Sequence, residues 1–181
     1  MARYRSAHQR GFTLTELMVV VAIMGILAVL ALNALTSHRK AAKVGEALSV
    51  VQAIRASQER YRAENQQYFG DSTRWCPSEG VGENERHAFL SDDCDKDLWQ
   101  TLRPDVQRGV QFGYRVASGV PGDALPSASD IITSRKFPSG TTPSEPWYVV
   151  QAKADADADG TFCAVVATSF NPDVVVENET E

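Results

Sequence analysis

Histidine is scarce in this sequence, with three in 181 residues, at His8, His38 and His87. No Cys/His set has the spacing of a zinc site, and no glycine-rich loop leads into a helix to cradle phosphate. His87 sits among acids, with Ser91, Asp92 and Asp93 as the material for a His/Asp/Ser constellation. A lone histidine in such company reads as a solvated loop residue, so the sequence argues against an enzyme. Basic excess is also missing. Lys and Arg number 18 against 23 Asp and Glu, for a formal charge of -5. The imbalance is uneven: residues 36 to 66 carry six basic and three acidic groups, residues 67 to 181 nine basic and nineteen acidic. An acidic C-terminal part disfavours nucleic acid, whose non-specific binding relies on Lys and Arg neutralising phosphates.

A third absence is local. From Leu17 to Leu35 there are nineteen residues without a charge. At about 1.5 Å per residue a helix of that length spans roughly the ~30 Å hydrocarbon core of a bilayer. Arg3, Arg5 and Arg10 before it, and Leu32-Asn33-Ala34 near its end, allow a secretory signal peptide. The run is longer than the ~7–15 residues usual for such a segment, and it opens with Glu16. An ionised carboxylate at the edge of lipid is costly unless it is paired. Cleavage between Gly11 and Phe12 would create an α-amino group four residues before Glu16, and positions i and i+4 share a helix face. The two charges would then pair within one chain or between neighbouring chains, where burial makes an unpaired charge expensive.

The stretch Gly11-Phe12-Thr13-Leu14-Thr15-Glu16-Leu17, with a short basic leader before it and an apolar helix after it, resembles the class III signal of type IV pilins and of the related pseudopilins of type II secretion. The resemblance implies that a prepilin peptidase cuts after Gly11, that Phe12 becomes the methylated N-terminus, and that Glu16 is the docking carboxylate. Gly25 falls where many family members carry glycine, and Asn33 stands where many carry proline, so a proline kink is not expected there. The implied organisation is a leader at 1–11, a helix at 12–66 with its membrane-spanning or fibre-core part at 17–35, and a head at 67–181. Loss of the leader removes His8 and three arginines, leaving 15 basic and 23 acidic groups and a formal charge of -8. Arg3, Arg5 and Arg10 on one side of the span are matched by Arg39, Lys40 and Lys43 on the other. Charge therefore does not set topology, and the outward placement of the head follows from the resemblance. Implied partners are the peptidase, other pilins through helix packing, and the assembly machinery of the inner membrane. No nucleic acid is expected. The chain would be single-pass in the inner membrane before assembly and extracellular in a pilus afterwards.

Beyond Thr36 and Ser37, Val44, Leu48, Val51, Ile54 and Tyr61 recur at helical spacing. Gln52, Arg55, Glu59, Arg62 and Glu64 fill much of the other face. Gly70 and Asp71 then interrupt the chain. A helix to about Gln66 would be on the order of 80 Å long. Three or more strands are expected, with candidates around Phe112, Tyr114 and Val116, from Trp147 to Ala154 and from Thr161 to Phe170. Packed against the helix, they make an α+β head with an antiparallel sheet. Residues 118 to 146 between the first two strands are rich in proline and glycine. Such a connection is long for a compact domain, and it reads either as an exposed recognition loop or as a flap over the sheet.

Outside the cytoplasm disulfides persist. Cys76 and Cys94 bracket the loop 76–94, and bridging them would be worth about 3 kcal/mol in the chain-entropy model. Cys163, in parity with Val165, reads as a buried thiol, although a pairing that ties it to the loop is a rival. Asp155, Asp157 and Asp159 followed by Gly160 match the first half of a calcium loop. The twelfth position is Val166 rather than glutamate, so the stretch reads first as an acidic hairpin turn, with calcium there, completed by ligands from elsewhere, as the alternative. Some pilin-like heads carry calcium, so the resemblance keeps that cofactor open.

The expected function is a structural subunit of a type IV pilus, a minor pilin before a major pilin or a pseudopilin. The closing "VVVENETE" resembles minor pilins, and retention of Glu16 speaks against the tip-most of them. A membrane-tethered calcium- or ligand-binding module that never polymerises is the alternative of another class. Gly11→Ala is expected to block maturation. Intact mass from membranes with active peptidase should show a methylated start at Phe12 for the parent chain, and a start at Met1 for the variant.

Overall fold

A computed structural model describes residues 12–71, 74–78, 85–90, 94–106, 109–127, 129–133, 138, 140–155 and 160–178. The chain divides into two compact units, Met1–His38 and Arg39–Glu181. Helix α1, Leu14–Asn65, passes from the first into the second. Residues 14 to 65 contain no proline, so nothing removes a backbone donor or forces a kink, and the helix is unbroken at Asn33. It ends where Gln66 turns left-handed at φ 64° and donates its N–H to the Arg62 carbonyl at 2.8 Å. This type of stop satisfies a carbonyl left over at the helix end.

In the second unit α1 buries the stripe expected of it. Val44, Ala47, Val51 and Ile54 are buried, with Leu48 and Tyr61 packed at its margin. The opposite face is less open than its charges suggest. Arg55 is half-buried, donating to the Tyr148 hydroxyl and to the Pro172 carbonyl, each at 3.3 Å. Half-buried Arg62 donates to the Tyr68 hydroxyl at 2.8 Å. Long side chains cover apolar surface with their stems while the charged ends find acceptors. Gln58 is wholly buried. Its amide donates to the Phe69 carbonyl at 2.6 Å and accepts the Phe69 N–H at 3.1 Å. It thereby pins the chain beside the helix it has just left.

Four strands form one antiparallel sheet in the order β1-β2-β3-β4: Gly113–Gly119, Trp147–Ala154, Cys163–Thr168 and Val175–Glu177. The α+β expectation holds, with two additions. Strand and helix periods mark neither α2, Lys96–Leu102, nor β4. Seven and three residues are too few for a periodic signal; burial of Leu98, Trp99 and Leu102 makes α2 part of the core. Single bridges from Asp71 to Ala117 and from Cys76 to Tyr114 run along the outer edge of β1, covering backbone groups that would otherwise invite pairing.

Successive side chains of a strand point to opposite faces, and here both faces are packed. Tyr114, Val116, Tyr148, Val150, Ala152, Cys163 and Val165 face α1 in the main core. Trp147, Val149 and Val166 face the other way, where Leu125 and Ile131 cover them. The described part of the long connection around Leu125 and Ile131 is therefore a flap over the sheet. Gln151 fastens it, accepting the Ile132 N–H and donating to the Asp130 carbonyl, both at 3.0 Å. The Trp147 indole donates to the Asp123 carbonyl at 3.2 Å and lies where a side chain on Gly119 would go, 2.5 Å from an added Cβ. Gly119→Ala is expected to displace Trp147, lower stability by about 1–3 kcal/mol and speed proteolysis within residues 120–133; thermal denaturation and timed digestion read both.

Candidate functional site

The helix start answers for Glu16. Thr13 precedes the first helical residue, and its N–H and hydroxyl both donate to Glu16 Oε2, at 2.9 and 2.8 Å. The Glu16 N–H donates in return to Thr13 Oγ1 at 3.2 Å. This reciprocal pair is a capping box, which satisfies backbone donors that the first turn leaves without helical partners. Phe12 and Leu17 occupy the two positions of a hydrophobic staple on either side of it. Sequence reasoning assigns Thr13 no role; the signal that finds it is a threonine three residues before a glutamate at the head of an apolar run. Phe12 is 88% exposed, and Gly11 lies outside the described residues.

Past the cap, Leu14–Leu32 is one helical segment long and apolar enough to cross a membrane, with a mean hydropathy of 2.5. Its large side chains, from Leu14 and Leu17 to Leu30 and Leu32, are exposed within this chain. Withdrawing a side chain of this size from water is worth roughly 1.5–3 kcal/mol, so the segment needs lipid or other apolar helices around it. Gly25 has open space where a Cβ would stand. Packing inside the chain does not require a glycine there.

In the second unit Cys76 and Cys94 form a disulfide, and both are buried in the main core. Cys163 is buried in that core outside the bridge, on the same face as Val165. Asp155 is buried and accepts the Gly160 N–H at 2.9 Å, as a turn residue does. Asp157 and Asp159 lie outside the described residues. Among the described residues no three His, Cys, Asp or Glu side chains gather as a metal site. His87 departs from the solvated reading: it is half-buried, and its backbone exchanges both hydrogen bonds with Val110, at 2.9 and 2.8 Å. Pairing of loop backbones, invisible in composition, draws it in. Ser91, Asp92 and Asp93 lie outside the described residues.

Residues 6–32 match the family described as the prokaryotic N-terminal methylation motif. The chain carries a type IV prepilin signal. No curated protein and no solved structure matches it. The signal marks a substrate of prepilin peptidase, of pilin or pseudopilin kind, and points to a structural subunit. The apolar helix that the signal introduces is consistent with membrane anchoring before assembly. Because the match ends at residue 32, it says nothing about the head.

The bridge in the head closes a loop between residues 18 apart. Replacing both Cys76 and Cys94 with alanine is expected to cost about 3 kcal/mol, read as a lowered midpoint in urea.

Proposed function

We infer that the processed chain is a structural subunit of a type IV pilus, of the minor-pilin class, drawn from the inner membrane into a fibre through its apolar helix. One observation carries the reading: a capped helix under a methylation signal, uncharged for nineteen residues after Glu16, whose large apolar side chains are exposed among the described residues. Such a surface suits lipid before assembly and neighbouring helices after it. Gly25 adds support, since small residues let helix backbones approach closely away from water. A major pilin or a secretion pseudopilin shares this helix, and abundance in purified fibres or association with secretion components separates them. A tethered module that never polymerises shares the span and would be indifferent to Glu16.

The capping box gives Glu16 two separable duties. Its oxygen caps the helix within the chain, and its charge is proposed to meet the α-amino group of Phe12 on a neighbouring subunit. Glutamine also serves as the third residue of a capping box, so Glu16→Gln keeps the first duty and discards the second. Fibre incorporation of Glu16→Gln is expected to fall as far as that of Glu16→Ala, with membrane levels of the cleaved protein unchanged. Normal incorporation of the glutamine variant would sink the docking role of the charge.

A further inference from the structure

The second face of the sheet is unevenly covered. The flap seals the part built from Trp147, Val149 and Val166. Elsewhere on that face stand Arg115 of β1 and Lys153 of β2. Both alternate with residues that face α1, and the pairing of Arg115 with Gln151 and of Gly113 with Lys153 makes them diagonal neighbours. Diagonal neighbours in a sheet lie within reach of long side chains. The Arg115 guanidinium sits 4.6 Å and the Lys153 ammonium 4.7 Å from the centre of the Trp75 ring. The same ammonium is 4.7 Å from the centre of the Phe162 ring.

Two cations thus converge on one indole. Partial burial holds both below their usual pKa values, and the Arg115 charge adds to the effect on Lys153. Among the described residues no ion pair joins either to a carboxylate. The opposing charge that acts on Arg115 is Asp130, whose carboxylate is already held by the Ser127 N–H and hydroxyl. Arg115 donates instead to the Asp130 carbonyl, which fastens the flap. Like charges placed this way repel. The aromatic rings compensate in part, and an anion between the two would offset the repulsion further.

We propose that Trp75, Arg115, Lys153 and Phe162 form a receiving site for a carboxylate on the head of another copy of this chain. Charge complementarity selects that partner. With nineteen acids against nine bases over residues 67 to 181, each head offers many carboxylates and has few cations to receive them. One of those cations, Arg86, is already paired with Glu46 within the chain. Arginine supplies planar, directed donors to a carboxylate and lysine a movable point charge, while the rings keep both ends in place. The choice of a second copy rests on the subunit reading above; the anion site itself does not.

The test uses the processed full-length chain in neutral detergent at about 0.1 M salt, where screening over ~10 Å suppresses the repulsion of the acidic head as a whole. Fluorescein-labelled hexaglutamate is titrated by anisotropy, with sodium sulfate as the small-anion probe. Saturable binding should weaken at least fivefold in Lys153→Gln and in Trp75→Leu, at unchanged melting temperature, and stay at the parent value in Lys96→Gln. Equal binding by Lys153→Gln, or binding of sulfate without hexaglutamate, overturns the proposal. Carbodiimide coupling of mixed isotope-labelled and unlabelled copies then identifies the partner. A Lys153-to-carboxylate link across copies supports it, and links confined to single copies overturn the second-copy assignment. None of these readouts requires a fibre, so a failure of the pilus reading would be seen separately.

Discussion

Val44, Ala47, Val51 and Ile54 are held out of water against a sheet whose central strands are packed on both sides, and the placement of the head's other parts follows from that contact. One helix face meets one sheet face, so the second sheet face must find another cover. The flap supplies it with Leu125 and Ile131. The disulfide loop and α2 close the same core, with Phe89 meeting both Trp99 and Tyr114 ring to ring. Tyr114 shows how dry this place is: its hydroxyl is fully withdrawn from water, and burial, with the Glu46 charge, pushes its pKa far up.

Polar groups at the edges of this core act as fasteners between segments distant in sequence. Gln58 holds Phe69, Gln151 holds the flap, and Arg86 ties the cysteine loop to Glu46 on α1 and to the Gly109 carbonyl. Gln58 and Gln151 each join a side chain from a regular element to irregular backbone, whereas Arg86 reaches from the loop to a helix carboxylate and to another loop's carbonyl. Such bonds suit buried irregular chain, whose amide and carbonyl groups need partners once water is excluded. Long connections with little secondary structure are thus kept in place by a few directed bonds and by two or three apolar anchors.

Glu16 shows why a residue can be necessary for more than one reason. An apolar helix about to enter lipid starts with backbone N–H groups that lipid cannot solvate, and the Thr13–Glu16 box answers part of that need inside a single chain. The carboxylate also keeps a charge at the boundary, available to an amine. Capping explains a glutamate as well as a glutamine would; the charge is what the proposed docking adds.

The amino-acid sequence by itself determined the features that depend on runs and spacing. The processing signal at Gly11, Phe12 and Glu16, the uncharged span, the amphipathic continuation from Val44 to Tyr61 and the limits of β2 are all local patterns, set by helix and strand periods and by chain chemistry. Cys76 and Cys94 were legible as partners because their separation and the compartment favoured them, though Cys163 stayed a rival until the core placed it on the sheet. Tertiary structure alone decided the rest. Whether residues 118 to 146 cover the sheet or stand away from it depends on a second face that only strand pairing creates. Neither α2 nor β4 is long enough to announce itself, and His87 is drawn inward by a backbone bridge that composition does not encode. The meeting of Trp75, Arg115, Lys153 and Phe162 is of the same kind: four residues scattered over 88 positions become neighbours because antiparallel register sets Arg115 and Lys153 on one face and the chain beside β1 and before β3 brings the two rings against them.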